Sequence, residues 1–280
     1  FSIYIYIYIY IMFNTYNCSF DNNVQIKIPI YSGINNEKKV MYDFYSGGTL
    51  LLREKKKRLI ISDLINKNLI DRNQNIIDAG AFLGDTSVPL SLNIEGYVYA
   101  IDPGIINMEI IQEIIDLNNI KNVKLLGYCL SDTYKKLYYN KKIFDINFAS
   151  FSDNINLECS VDSYSLDILY DKNMIDNISL LHIDVEGQEH NVLKGSINLI
   201  KKYNPIIIFE GHIKSDTSNV IYCCNFLKKY NYHIFMIDED AGNPGDCRNF
   251  LCIPTDKLSD FNNKFEFMNF IINVNNNNFL

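Results

Sequence analysis

The chain reads as an α/β domain built on a doubly wound, largely parallel sheet, and three observations carry that reading. Between residues 76 and 237, short β-branched and aromatic runs alternate with segments whose apolar residues recur every three or four positions, the signature of strands and helices taken in turn. The stretch Asn75 to Asp85, N-I-I-D-A-G-A-F-L-G-D, runs a strand into two glycines spaced G-x-x-x-G and then into Asp85-Thr86-Ser87, a run of helix N-cap residues. Acidic residues then stand at the end of one strand after another, and ligands of open α/β sheets bind outside those carboxyl ends.

The opening F-S-I-Y-I-Y-I-Y-I-Y-I-M-F alternates strictly and is expected to be a low-complexity strand or tail. It is shorter than the ~20 apolar residues that cross a bilayer and lacks the basic start of a secretion signal. Residues 14 to 50 carry strand and turn signals, with Ser46-Gly47-Gly48 a hairpin loop or a lid. From Thr49 to Asn73 the pattern is helical, through Leu59, Ile60, Leu64, Ile65 and Leu69, and the basic run Arg53 to Arg58 reads as its solvated face.

After strand one comes a short helix from Val88 to Leu92, with Pro89 in its first turn, where a missing N–H costs little. Strand two is Tyr97 to Ile101. The span Gly104 to Asn118 is an amphipathic helix with Ile106, Ile110, Ile114 and Leu117 on one stripe. Strand three runs from Val123 to Leu130. Residues 134 to 165 read as a small β insertion, K-K-L-Y-Y then F-A-S-F, leading to a short helix with Leu166 and Leu169.

Strand four, Ile178 to Ile183, leads to a helix from Gln188 to Lys202. Strand five, Pro205 to Phe209, leads to a helix from Asn219 to Tyr230, then strand six, Tyr232 to Ile237. The loop Asp238 to Asp246 is too short for a crossover helix, so strand seven, Phe250 to Ile253, should run antiparallel to strand six. This divides the chain into an extension over 1–48, a domain over 49–256 and a tail over 257–280 whose Asn-rich end is expected to be disordered.

Of the 280 residues, 48% are hydrophobic, enough for a large core, and a net charge of -7 argues against a nucleic-acid footprint. Seven cysteines with no C-x-x-C pair imply a reduced, cytoplasmic chain without structural zinc. No metal and no membrane association are expected. The bias toward Ile, Asn, Lys and Tyr resembles the coding of an A/T-rich genome.

In the central turn, Gly80 can adopt the conformation the bend demands and Gly84 admits a close approach to the backbone. Asp102 follows Asp78 by 24 residues, near the ~20-residue offset at which an acid ending strand two meets a ribose diol. Only two glycines are present, not the G-x-G-x-x-G of a pyrophosphate cradle, which weakens a nicotinamide dinucleotide and leaves S-adenosylmethionine. Asp132, Asp184, Glu186, Glu210 and His212 fall at further strand ends. His182, inside strand four, and His190, on a helix face, read as structural.

The segments I-D-A-G-A-F-L-G-D-T (77 to 86), V-Y-A-I-D-P (98 to 103), C-L-S-D (129 to 132), S-L-D-I-L (165 to 169), L-L-H-I-D-V-E-G-Q-E-H-N-V-L-K-G (180 to 195) and P-I-I-I-F-E-G-H (205 to 212) together resemble the FkbM family of S-adenosylmethionine-dependent methyltransferases. The resemblance covers roughly residues 75 to 240 and implies a class I methyltransferase (Rossmann-like) fold, strand order 3-2-1-4-5-7-6. It implies O-methylation of a hydroxyl, often on a sugar or other small molecule. Carried over, Asp78, Gly80 and Gly84 shape the methionine pocket, Asp102 takes the ribose hydroxyls, Ser131 and Asp132 meet the adenine, and Asp184 lies nearest the methyl. Asp184, Glu210 and His212 are the candidate catalytic residues. Phe82 departs from the family's usual Asn, and Gly127-Tyr128 replaces the usual Asn before the L-S-D segment. The competing reading is a fold relative that binds a ligand or partner without turnover.

Overall fold

The computed structural model describes residues 15–19, 25–29, 54–139, 157, 159–241 and 245–274. A hairpin of β1 (Thr15–Ser19) and β2 (Gln25–Pro29) comes first, then helix α1 (Lys55–Asn66), β3 (Asn75–Ala79), α2 (Ser87–Ser91), β4 (Val98–Ile101), α3 (Ile105–Leu117) and β5 (Val123–Leu126). The short strands β6 (Cys129–Leu130), β7 (Lys135–Tyr139) and β8 (Cys159–Tyr164) precede α4 (Leu166–Asp171) and β9 (Ile178–Ile183). Helices α5 (Glu189–Lys194) and α6 (Ile197–Tyr203) lead to β10 (Ile206–His212), α7 (Thr217–Lys229), β11 (Tyr232–Ile237), β12 (Cys247–Pro254), α8 (Thr255–Lys264) and β13 (Ile271–Asn273).

The main sheet has eight strands in the order β13-β11-β12-β10-β9-β3-β4-β5. Strands β5, β4, β3, β9 and β10 are parallel, while β12 is antiparallel to both β10 and β11. In the chain order of the sequence reading this is 3-2-1-4-5-7-6, with β13 added at the edge. Every residue of β3, β4 and β9 is buried, as expected of strands covered by helices on both faces. One core contains Ile77, Leu181, Ile207 and Leu227, and the opposite one Ile76, Leu180, Ile208 and Leu64, so successive strand residues feed opposite layers.

Several boundaries moved, for identifiable reasons. The expected strand 123–130 divides: β5 stays in the main sheet, while β6 joins β8 and β7 in a separate three-stranded sheet. The F-A-S-F half of the insertion lies outside the described residues, and β8 is the partner that K-K-L-Y-Y takes. The expected helix 188–202 breaks at Gly195, where an added Cβ would lie 2.3 Å from the Ser131 carbonyl oxygen. Strands β10 and β12 run longer than their apolar cores, because their polar ends pair as Glu210 with Asn249 and His212 with Cys247.

The basic run was misread as a solvated face: Lys57 is only 2% exposed. The boundary at 256 falls inside α8, whose Phe261 is fully buried, and β13 pairs with β11 beyond it. The Ile/Tyr start, the Gly47-Gly48 loop and residues 275–280 lie outside the described residues. Strand β2 packs on α3, where Lys27 N donates to Asn118 Oδ1 at 2.8 Å.

Candidate active site

The turn after β3 is built from residues at positive φ: Gly80 at 84°, Phe82 at 44° and Gly84 at 79°. Gly80 N and Ala81 N both donate to the Ile101 carbonyl, at 2.9 and 3.1 Å, which ties the turn to the end of β4. Glycine is required at 80 because a Cβ there would lie 1.7 Å from the Asp184 carbonyl oxygen. The ends of β3 and β9 are thereby pressed together.

Asp102, 7% exposed at the end of β4, closes the same turn from the other side. Its Oδ2 accepts from Phe82 N at 3.0 Å, and its Oδ1 from Gly104 N at 2.7 Å and Asn107 Nδ2 at 3.0 Å. Burial pushes its carboxyl up to about 6 against the pull of these three donors. The predicted ribose ligand is therefore also the residue that pins the turn and starts α3. Cys129, two residues before Ser131, lies close enough to Asp102 for that charge to raise its thiol further, beyond the effect of burial. Ser131 is buried, its Oγ 3.1 Å from Asp132 Oδ1, and Asp132 is exposed.

Asp78 is fully buried beneath the turn. Ser87 Oγ donates to its Oδ2, and its Oδ1 lies 2.7 Å from His182 Nδ1. The other nitrogen of His182 is 3.3 Å from Lys57 Nζ, and Lys57 forms a 2.5 Å ion pair with Glu54. Asn249 Nδ2 donates to Glu54 Oε1 at 3.0 Å, while Asn249 Oδ1 is buried with no partner. A buried polar chain thus runs from the helix start at Ser87 under the sheet ends to β12. Glu54 and Lys57 were missed by the sequence reading. The available signal was that Lys57 shares the three-and-four spacing of Ile60, Ile61 and Leu64, which places it on the inward stripe.

At the ends of β9 and β10, Asp184 and Glu210 share a hydrogen bond. Burial, then the neighbouring Asp184 charge, drives Glu210 far above the carboxylate range, so it is the partner that keeps the proton. Glu186 and Gly187 follow at φ 53° and 92°, a tight left-handed bend. Buried Glu189 holds that bend, accepting from Val185 N at 3.2 Å, Gly187 N at 3.0 Å and Asn219 Nδ2 at 2.5 Å. Burial and Asp184 push Glu186 up to about 7, with His212 opposing them. His212 lies 3.7 Å from Glu186 Oε2, 3.6 Å from Asp246 Oδ2 and 3.2 Å from Cys247 Sγ.

The candidate residues Asp184, Glu210 and His212 therefore share one neighbourhood, joined by Glu186. Ligand-type atoms of Asp184, Glu186 and Glu210 lie within 4.8 Å of one another, as do those of Glu210, His212 and Cys247. Either set is close enough to hold a cation, but the Asp184–Glu210 hydrogen bond relieves the repulsion with a shared proton. His190 is structural as expected, its Nδ1 2.9 Å from Asn219 Oδ1. His182 is buried and satisfied, yet it belongs to the chain beneath the site.

A doubly wound sheet with this strand order and a glycine turn after its first strand is the class I methyltransferase fold. Residues 78–237 match the family described as the methyltransferase FkbM domain, and the chain belongs to that family. That family is one of methyltransferases, a class for which S-adenosylmethionine is the usual methyl donor. No curated protein matches. A candidate O-methyltransferase from Klebsiella pneumoniae has a similar fold, with a TM-score of 0.50 at 9% identity over 80% of this chain and 91% of that one. The methyltransferase FkbM from Methylobacillus flagellatus KT gives a TM-score of 0.47 at 16% identity over 64% of this chain. The chain spans only 44% of the length of that protein. An O-methyltransferase from Bacillus cereus in complex with SAH gives a TM-score of 0.47 at 11% identity, covering 81% of this chain and 94% of that one. No helix among the described residues is long and apolar enough to cross a membrane.

Proposed function

We propose that the chain transfers the methyl group to a hydroxyl oxygen of a sugar or another small molecule. The observation that carries this reading is the gathering of Asp184, Glu186, Glu210 and His212 at the ends of β9 and β10. The bound donor supplies an electrophilic methyl on a sulfonium, and a cation of that kind suits a site lined with carboxylates. The acceptor oxygen forms the new bond to carbon as the carbon–sulfur bond breaks, and its proton passes to a base. His212 or Asp184 takes that proton. Gly80, Gly84 and Asp102 hold the donor, with Ser131 and Asp132 toward its adenine.

The test is transfer of labelled methyl from S-adenosylmethionine to a panel of sugars and phenols, beside a matched panel of amines. Label appearing on amines alone would remove the hydroxyl reading. The competing reading, ligand binding without turnover, is supported by Phe82, a bulky residue at φ 44° in the donor turn, and by the three donors already on Asp102. Tight donor binding with no transfer to any acceptor is the result that would favour it.

A further inference from the structure

Glu54 and Lys57 precede the family-matching segment, which begins at Asp78, yet their side chains reach the centre of the site. Lys57 is 2% exposed, lies 2.5 Å from Glu54 and 3.3 Å from His182, and its charge is thereby withdrawn from bulk solvent. A buried ammonium persists only where nearby anions offset its desolvation. Three such groups surround it, Glu54 at the N-cap of its own helix, Asp184 at the end of β9 and Asp85 in the turn after β3, and a ring nitrogen of His182 lies beside it.

We propose that Lys57, locked in place by Glu54, is a positioning residue of the methyl-transfer site, the fixed positive charge that lets the Asp184 carboxylate stand ionised among its acidic neighbours. Without that charge Asp184 faces Glu54, Asp85, Glu186, Glu189 and Glu210, with only His182 nearby to offset them. Lys57 touches no reacting atom. It acts through Asp184, and through His182 on Asp78 and the turn. Asn249 anchors Glu54 from β12, so α1, β9 and β12 are fixed to one another at the site. Burial and Asp184's acidic neighbours favour its protonated form, whereas Lys57 favours the ionised form.

This inference rests on Asp184 lying beside the sulfonium, as proposed above, and the experiment separates the two. S-adenosylmethionine affinity is measured by calorimetry from pH 5 to 9 for wild type, Lys57→Met, Lys57→Arg and Glu54→Gln. In wild type, affinity should rise as Asp184 ionises. Lys57→Met should move that rise upward by about one pH unit, Glu54→Gln should move it downward, and Lys57→Arg should restore the wild-type profile. The opposite signs are what a purely structural role cannot produce. Folded Lys57→Met and Glu54→Gln proteins whose profiles both overlay wild type overturn the inference. If Lys57→Met does not fold, Glu54→Gln and Lys57→Arg decide: the inference stands only if the Gln profile moves down and the Arg profile does not move. A wild-type profile that is flat across this range instead removes Asp184 from the sulfonium.

Discussion

Gly80 and the Asp184 carbonyl are in such close register that a single added carbon on Gly80 would stand 1.7 Å from the oxygen. This fixes the spacing between the donor turn and the proposed acceptor end of the sheet. Gly80→Ala should therefore cost about 3 kcal/mol or more, through the clash and the positive φ together. Denaturant unfolding checks it, and a loss below about 1 kcal/mol would mean that β3 and β9 can slide apart.

Asp102 serves the fold and is also the proposed ribose ligand, so its replacement should show two effects. Asp102→Ala leaves Phe82 N, Gly104 N and Asn107 without their acceptor, and should lower stability by about 2–4 kcal/mol while weakening S-adenosylmethionine at least ~10-fold. Calorimetry and unfolding on the same preparation separate the two. Intact affinity in a destabilised protein would leave Asp102 a turn residue only.

The β9 bend gives a third expectation. Glu189→Ala removes the acceptor for two backbone N–H groups and Asn219, and should cost about 2–4 kcal/mol. Donor binding should weaken with it, since Glu186 and Gly187 lose the side chain that holds their left-handed conformation. Hydrogen exchange at Gly187 measures this directly; unchanged protection would show that the bend holds without its clamp.

Without ligand, stability should fall as pH rises through neutrality. Asp85 and Asp102 are raised to about 6 and Glu186 to about 7, burial being the main cause in each. The folded chain keeps protons that the unfolded chain releases near pH ~4, so this stability is complete below ~4 and lost as pH climbs through 6 to 7. Glu54 and Asp246 are held down at about 2: burial pushes Glu54 up but Lys57 outweighs it, while Ser215 dominates for Asp246. Their stabilisation is present above ~4 and lost as pH falls toward 2. The melting temperature should peak near pH ~5 and be several degrees lower at pH 8. A peak at pH 8 would contradict the raised carboxyls of Asp85 and Asp102.

Donor binding should also be indifferent to chelation, because a shared proton already relieves the Asp184–Glu210 pair. A fall of more than ~10-fold in S-adenosylmethionine affinity on adding EDTA would assign a cation to Asp184, Glu186 and Glu210.

The sheet was legible because β3, β4, β9 and β10 are mostly apolar runs alternating with helical segments, a pattern that needs no tertiary information, whereas the full strand order came from the family resemblance. Lys57 was hidden by its neighbours: in K-K-K-R only the helical register, set by distant Ile60 and Leu64, decides which lysine turns inward. The break at Gly195 depends on the Ser131 carbonyl, and the double duty of Asp102 on where the Phe82 amide points. Neither contact is local. Asn249 reads as a plain strand residue until β12 is set beside β10, which places it opposite Glu210.

Strand β12 lies between β10 and β11, although it is made after both. During synthesis, everything through Ile237 can leave the ribosome while β10 still presents an unpaired edge and β11 has no neighbour to join. β11 can be joined to β10 only when residues 247–254 enter the gap, so an insertion must come before β13 can complete the rim. A chain stopped at the end of the family-matching segment would carry most of the donor-binding turn residues and an exposed apolar strand edge. Such a product should associate with itself rather than fold.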